Sequence, residues 1–133
     1  GVTLRCEPEP GCIISASEDD VYQIVFNLAE NAVKYNVEGG SVDIRVRRGE
    51  GRILLDVDDT GIGIPEADLP NIFSRFYRVD KARSREKGGS GLGLSIVHDA
   101  VTALGGSITV EAREGGGTRF SVSFPEPGEG ARQ

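Results

Sequence analysis

Two runs rich in strand-forming residues, "SVDIRVRR" at 41–48 and "RILLDVDD" at 52–59, are fenced by Gly39, Gly40, Gly49 and Gly51. Glycines at those positions leave the chain little choice but a β-hairpin. "SITVEAR" (107–113) and "TRFSVSF" (118–124) predict a second hairpin, and "VTLRC" (2–6) and "CIIS" (12–15) predict two further short strands. Between them lie helical patterns. One helix is expected over 18–35, opened by Ser17 with Asp20 three places on. A short one follows Pro65 through "PEADLPNIF", and a third runs through "SIVHDAVTAL" until Gly105 and Gly106 stop it. Strands and helices come in blocks without strict alternation, which points to an α+β fold with a helical layer on one mixed sheet. "PEPGEGARQ" reads as a disordered end, so one domain over 1–125 with a tail at 126–133 is expected, without internal repeats.

With 133 residues and 38% hydrophobic content the chain can build a single core. No apolar run approaches the roughly 18 to 20 residues of a membrane span, and residues 1–20 have no basic segment followed by an apolar one. Neither a signal peptide nor a membrane contact is expected. Cys6, Cys12 and His98 are too few for a zinc site or a disulfide framework, and both cysteines read as reduced, a Cys6 to Cys12 bridge being the lesser alternative. A net charge of −6 argues against general nucleic-acid binding. The charge is uneven, however. "RFYRVDKARSREK" (75–87) holds Arg75, Arg78, Lys81, Arg83, Arg85 and Lys87 against Asp80 and Glu86. Such a run is either a solvated loop or a clamp for a small polyanion.

The helix over 18–35 contains "NLAENAVKYN", with asparagine at 27, 31 and 36. At about 100° per residue, Asp20, Gln23, Asn27, Glu30, Asn31 and Lys34 fall within roughly a third of its circumference. Val21, Ile24, Val25, Leu28, Ala29 and Ala32 fill the opposite side. A merely solvated stripe does better with Glu, Lys, Gln or Arg, since each Asn costs several tenths of a kcal/mol of helix propensity. Asn27, Asn31 and Lys34 stand at i, i+4 and i+7, offering amide oxygens to a hard cation and an ammonium to an anion beside it. Magnesium held by one or two protein oxygens plus substrate phosphates fits that description.

Three further segments read either as plain turns or as parts of a ligand site. "LLDVDDTGIGIP" (54–65) ends a strand in Asp58 and Asp59 and then sets Gly61 and Gly63 two apart. Close glycines let the backbone approach a flat ligand, and a carboxylate at the strand end can accept from an exocyclic amine. "GGSGLGL" (88–94) precedes a helix, so unsatisfied amides and the positive end of the helix dipole face whatever lies in front, as in a phosphate cradle. It is neither a dinucleotide-binding G-x-G-x-x-G after a strand nor a P-loop, and the motifs of ordinary protein kinases are absent. "GGGTRF" (115–120) alone is a hairpin turn.

Taken in order, "NLAENAVKYN", "DDTGIGIP", "IFSRFYRVD", "GGSGLGLSIV" and "GGGTRF" resemble the N, G1, F, G2 and G3 boxes of the sensor histidine kinase catalytic domain, over about residues 2–125. That domain shares a superfamily with gyrase, a heat-shock chaperone and mismatch-repair ATPases. The resemblance implies a Bergerat-type two-layer sandwich, a mixed sheet of about five strands against three helices, with a flexible lid over ATP. It implies that Asn31 coordinates Mg²⁺ with Asn27 in support, that Lys34 contacts phosphate, and that Tyr35 lies against the nucleoside. Asp59 would take the adenine amine, with Gly61 and Gly63 giving the ring room. Arg78 would meet the terminal phosphates, the backbone from Gly89 through Gly91, Leu92, Gly93 and Leu94 would cradle them, and Thr118 would help to close the adenine pocket. On that footing Asn31, Lys34 and Arg78 are the catalytic residues, residues 79–90 are the lid, and Phe73 and Phe76 pack at its base.

In the water-activating and serine-kinase relatives the residue four before the Mg²⁺ asparagine is typically a glutamate base, whereas here it is Asn27. A neutral imidazole attacks through a lone pair and needs no base. The resemblance therefore implies a histidine acceptor, reached on a dimerisation domain, with a response regulator downstream. His98 reads as a partly exposed helix residue rather than the acceptor, and the chain opens on a strand without a helical hairpin, as a catalytic domain separated from its acceptor would. A cytoplasmic location follows from the family, the parent protein being commonly membrane-anchored. Glu30, about 100° round the helix from Asn31, keeps open an autonomous ATPase or serine kinase. A non-catalytic nucleotide-binding module is the remaining alternative.

Overall fold

The computed structural model describes residues 3–8, 18–74, 93–113 and 115–125. The strand expected at 12–15, the helix start at Ser17, the basic run and the tail at 126–133 lie outside the described residues. Strand β1 (Thr3–Pro8) is followed by helix α1 (Glu18–Lys34), strands β2 (Ser41–Gly49) and β3 (Arg52–Asp59), and a 3-10 helix (Glu66–Asn71). Helix α2 (Gly93–Ala103) and strands β4 (Ser107–Ala112) and β5 (Thr118–Pro125) complete the order. Helix α1 ends one residue earlier than the periodicity suggests, and α2 begins two residues before "SIVHDAVTAL". The helix expected after Pro65 is a short 3-10 turn, and Pro70 inside it lacks the amide that an α-helix would require.

The five strands form one sheet in the order β1-β2-β3-β5-β4. Only β1 and β2 run parallel, which requires the crossover through α1; the other pairings are antiparallel. Both helices pack on one face of the sheet. Ile24, Leu28 and Ala32 of α1 and Val97 and Val101 of α2 are buried against Ile53, Leu55 and Val57 of β3 and Phe120, Val122 and Phe124 of β5. The every-second-residue burial of β3 and β5 follows from the pleat. Phe73 packs edge-on against Phe120, while the lid whose base it is expected to hold lies outside the described residues. Helix α2 stops as expected at Gly105, whose φ is +78°. Gly106 donates to the Val101 carbonyl and Gly105 to that of Thr102, a Schellman pair.

The sheet's other face carries an ionic row. Asp58 is 2% exposed because Arg45 from β2 and Arg119 from β5 both close over its carboxylate, and Arg119 also reaches Glu111 of β4. Asp58 and Asp59 thus point to opposite faces, as successive strand residues must.

Asn36, just past α1, is the side chain that locks the helix exit to the sheet. Its Nδ2 donates to the Ser41 carbonyl at 2.9 Å, while its Oδ1 accepts from the Val37 amide at 2.8 Å and from the Thr60 hydroxyl at 3.1 Å. The Ser41 amide in turn donates to Thr60 Oγ1. Replacing Asn36 by Ala removes three hydrogen bonds made by one buried side chain, so we expect a loss of about 2–3 kcal/mol, read from the urea midpoint. Helical circular dichroism at low denaturant should be retained.

Candidate functional site

Helix α1 presents three faces. Ile24, Leu28 and Ala32 face the core, and Asn27, Asn31 and Lys34 line a second side as partly exposed residues. Tyr22, Phe26 and Val33, which the sequence reading left unassigned, form an exposed third. Asn27 Nδ2 donates to the Gln23 carbonyl one turn back, at 2.8 Å, which fixes the amide and turns its oxygen away from the helix. A Cβ built on Gly93 would sit 3.6 Å from that Oδ1, so the N-terminus of α2 abuts the asparagine face. Gly93 thereby stands beside Asn27, and Leu94 follows it in the first turn of α2, the helix end that the sequence assigns to phosphate. The side-chain amide of Asn31 makes no hydrogen bond among the described residues. Lys34 lies 3.5 Å from Glu30, one turn back. Arg78, Gly89, Gly91, Leu92 and Phe76 lie outside the described residues.

The second wall is built where β3 and β5 end. Asp59 is 6% exposed, and its Oδ1 accepts from the Gly61 amide at 2.9 Å and the Thr118 amide at 3.3 Å. Among the described residues both of its side-chain hydrogen bonds fall on that one oxygen, so Oδ2 keeps its acceptor capacity. Burial pushes the Asp59 carboxyl above the usual carboxylate range, and Asp58 adds to this; the Gly61 and Thr118 amides and the Arg113 guanidinium oppose it. Thr118 is itself buried.

Gly61 is a close-approach position. A Cβ there would stand 2.4 Å from the Tyr35 carbonyl and 3.0 Å from Asp59 Oδ1. The same carbonyl accepts from the Ile62 amide at 3.1 Å, so the end of α1 and the loop after β3 are tied backbone to backbone. The Tyr35 backbone is thereby brought beside Gly61. Gly63 lies opposite Gly117 of the β4–β5 turn. Asn27, Asn31 and Lys34 with Gly93, and Asp59 with Gly61, Gly63 and Thr118, are the two groups of candidates brought together.

Sequence reasoning missed Asn36, Thr60, Gly117 and Arg113. Arg113 Nη1 donates to the Asp59 carbonyl at 2.9 Å across 54 residues of sequence, a contact with no local signal. Asn36 was visible in "NLAENAVKYN", but it lies beyond the helix and outside its period. His98 is exposed, 5.6 Å from the Phe73 ring and beside Asp99, as a helix-surface residue.

Residues 16–128 match the family described as histidine kinase-, DNA gyrase B- and HSP90-like ATPase. The chain belongs to that family. Within this ATPase family it is 42% identical over 124 residues to the sensor histidine kinase WalK of Bacillus subtilis, an alignment covering 92% of the chain and 20% of WalK. The mycobacterial sensor histidine kinase MprB superposes with a TM-score of 0.83 at 29% identity, over 93% of this chain and 83% of that one. Full-length ShkA, solved in complex with AMPPNP, gives 0.79 at 33% identity, over 94% of this chain and 26% of that one. The chain therefore spans about a fifth of the length of WalK. The five-stranded mixed sheet with its helical layer is the α+β sandwich of these catalytic domains. Among the described residues no helix is long and apolar enough to cross a membrane.

Proposed function

We propose that the chain binds ATP between the asparagine face of α1 and the Asp59 wall, and serves as the catalytic domain of a two-component sensor histidine kinase. The observation that carries this reading is the Asp59 carboxylate, buried at a strand end with one oxygen held by two amides and the other able to accept from an adenine amine. Gly61 and Gly63 leave room for the ring beside it, Tyr35 flanks the nucleoside, and Thr118 closes the far side. Asn27, Lys34, Arg78 and the glycine-rich backbone from Gly89 through Gly91, Leu92, Gly93 and Leu94 hold the phosphates.

The half-buried amide of Asn31, without a side-chain partner among the described residues, suits a hard cation that also takes phosphate oxygens. Magnesium held there would supply charge neutralisation to the triphosphate. The chain's own part is positional and electrostatic. Lys34 and Arg78 offset the charge on the terminal phosphates, the α2 amides orient them, and the γ-phosphoryl passes in line to a histidine on a dimerisation domain. A response regulator then receives it, and a cytoplasmic location goes with those partners.

Asn27 supports a histidine acceptor over water or a hydroxyl, because its amide is hydrogen-bonded to the helix and cannot act as a base. Glu30, the carboxylate on this face nearest to Asn31, is paired with Lys34. Calorimetry with AMPPNP tests the reading directly. Wild type should bind more tightly with Mg²⁺ than without, and Asn31→Ala should lose most of that difference, a factor of about ten or more. The isolated chain should hydrolyse ATP slowly and transfer phosphate to a supplied histidine domain. Brisk hydrolysis abolished by Glu30→Gln would instead favour the autonomous ATPase, and absence of AMPPNP binding would remove the nucleotide site altogether.

A further inference from the structure

Arg113 stands outside every motif that marks the site, yet it meets the Asp59 segment twice. Its guanidinium donates to the Asp59 carbonyl at 2.9 Å, and its positive charge acts on the Asp59 carboxylate. Its backbone is fixed as well: the Arg113 amide donates to the Gly117 carbonyl and the Gly116 amide to the Arg113 carbonyl, each at 3.1 Å. The tight turn between β4 and β5 is thus braced against the end of β3 by one side chain.

We infer that Arg113 is a positioning residue for adenine recognition, pinning the end of β3 through the Asp59 carbonyl and holding the neighbouring carboxylate in its acceptor form. This rests on the proposed nucleotide site. With Oδ1 facing two amide donors, a proton on the carboxyl would sit on Oδ2, so Oδ2 accepts from an exocyclic amine only while the group is ionised. The groups acting on it can be named element by element. Asp58 lies next to it on β3 but is engaged on the opposite face by Arg45 and Arg119. The Gly61 amide, packed on the Tyr35 carbonyl at the end of α1, and the Thr118 amide of β5 do not titrate. Among the described residues, Arg113 is the cation that acts on it. Burial favours the protonated form, and Arg113 works against burial.

Two substitutions separate the two contacts. Arg113→Gln keeps a donor for the carbonyl and removes the charge, while Arg113→Lys keeps the charge. AMPPNP affinity would be measured by calorimetry on the whole chain from pH 8 down to about pH 4.5, so that the acid side of the Asp59 titration is covered. The ratio of variant to wild type at each pH cancels titration of the nucleotide phosphates. Arg113→Gln should weaken binding progressively as pH falls, approaching tenfold for each unit by which the Asp59 midpoint rises. Arg113→Lys should follow the wild-type profile. A ratio for Arg113→Gln that equals one, or that is the same at every pH, overturns the inference. Carbon-13 NMR titration of the Asp59 carboxyl in the nucleotide-free chain gives an independent readout. Its midpoint should rise in Arg113→Gln, and an unmoved midpoint overturns the inference even if wild type binds no nucleotide, a result that would by itself defeat the proposed function.

Discussion

Gly117→Ala is expected to remove nucleotide binding and to cost about 3 kcal/mol or more of stability, the largest effect of a single methyl group at any glycine among the described residues. Two causes act together. Gly117 has a φ of +99°, a left-handed conformation that an L side chain rarely adopts. A Cβ there would lie 1.9 Å from the Asp59 carbonyl oxygen and 2.9 Å from its carbon. Backbone atoms have no rotamer by which to escape, so β5 or the end of β3 must move by more than an ångström. Asp59 moves with it, and the Thr118 amide, one residue from the methyl group, leaves Asp59 Oδ1. Thermal unfolding and AMPPNP calorimetry on the same preparation would check the result. A variant with wild-type melting behaviour and affinity would show that the β4–β5 turn is not coupled to the site.

Asp59→Asn should behave in the opposite way on stability while also losing the ligand. The amides of Gly61 and Thr118 both need an acceptor, so they orient the new side chain with its oxygen toward them. The NH₂ group then occupies the place of Oδ2 and meets the adenine amine donor to donor. Loss of a hydrogen bond to a charged acceptor, with a repulsive pair left in its place, corresponds to about a 100-fold fall in affinity.

Stability follows the proton linkage of the carboxyl. Its folded pKa is raised above the ordinary value of 3.8, chiefly by burial. Where the folded pKa exceeds the unfolded one, the native state holds the extra proton, so stability is fully present below the unfolded value and falls as pH rises through the folded one. At neutral pH the wild type therefore carries a buried charge that it would be more stable without. Asp59→Asn should have a neutral-pH stability at or above wild type, with the advantage vanishing near pH 4. Urea midpoints at pH 4 and pH 7 read this out. A variant less stable than wild type at pH 7 would mean that the two amides and Arg113 outweigh burial.

Much of this arrangement is legible in the residues. The hairpins and the core face of α1 follow from local pattern, because side-chain direction repeats every two residues in a strand and every 3.6 in a helix. Asn27, Asn31 and Lys34 fall together for the same reason. The strand-end carboxylate on the helical side follows from the same alternation, since Asp59 is in phase with Ile53, Leu55 and Val57 of the core. What holds Asp58 on the other face was not legible, because Arg45 and Arg119 reach it from strands that are its neighbours in the sheet and not all in sequence. Arg113 was illegible for a related reason. The β3–β5 pairing skips α2 and β4, so its contact with Asp59 exists only once the sheet is assembled. Asn36 obeys no period because it lies where one element hands over to another.

The three polar residues on α1 also constitute a ruler. A helix advances about 1.5 Å per residue, so Asn27 and Lys34 are separated by about 10 Å along a rod whose opposite side is embedded in the core. No loop adjustment can alter that spacing, and inserting one residue between them would swing the later mark by about 100°. Tolerance to insertion should therefore differ sharply along the chain. The exposed turn at Gly49–Gly51 can lengthen without rescaling the site, whereas the stretch between Asn27 and Lys34 can be neither lengthened nor shortened without separating the marks.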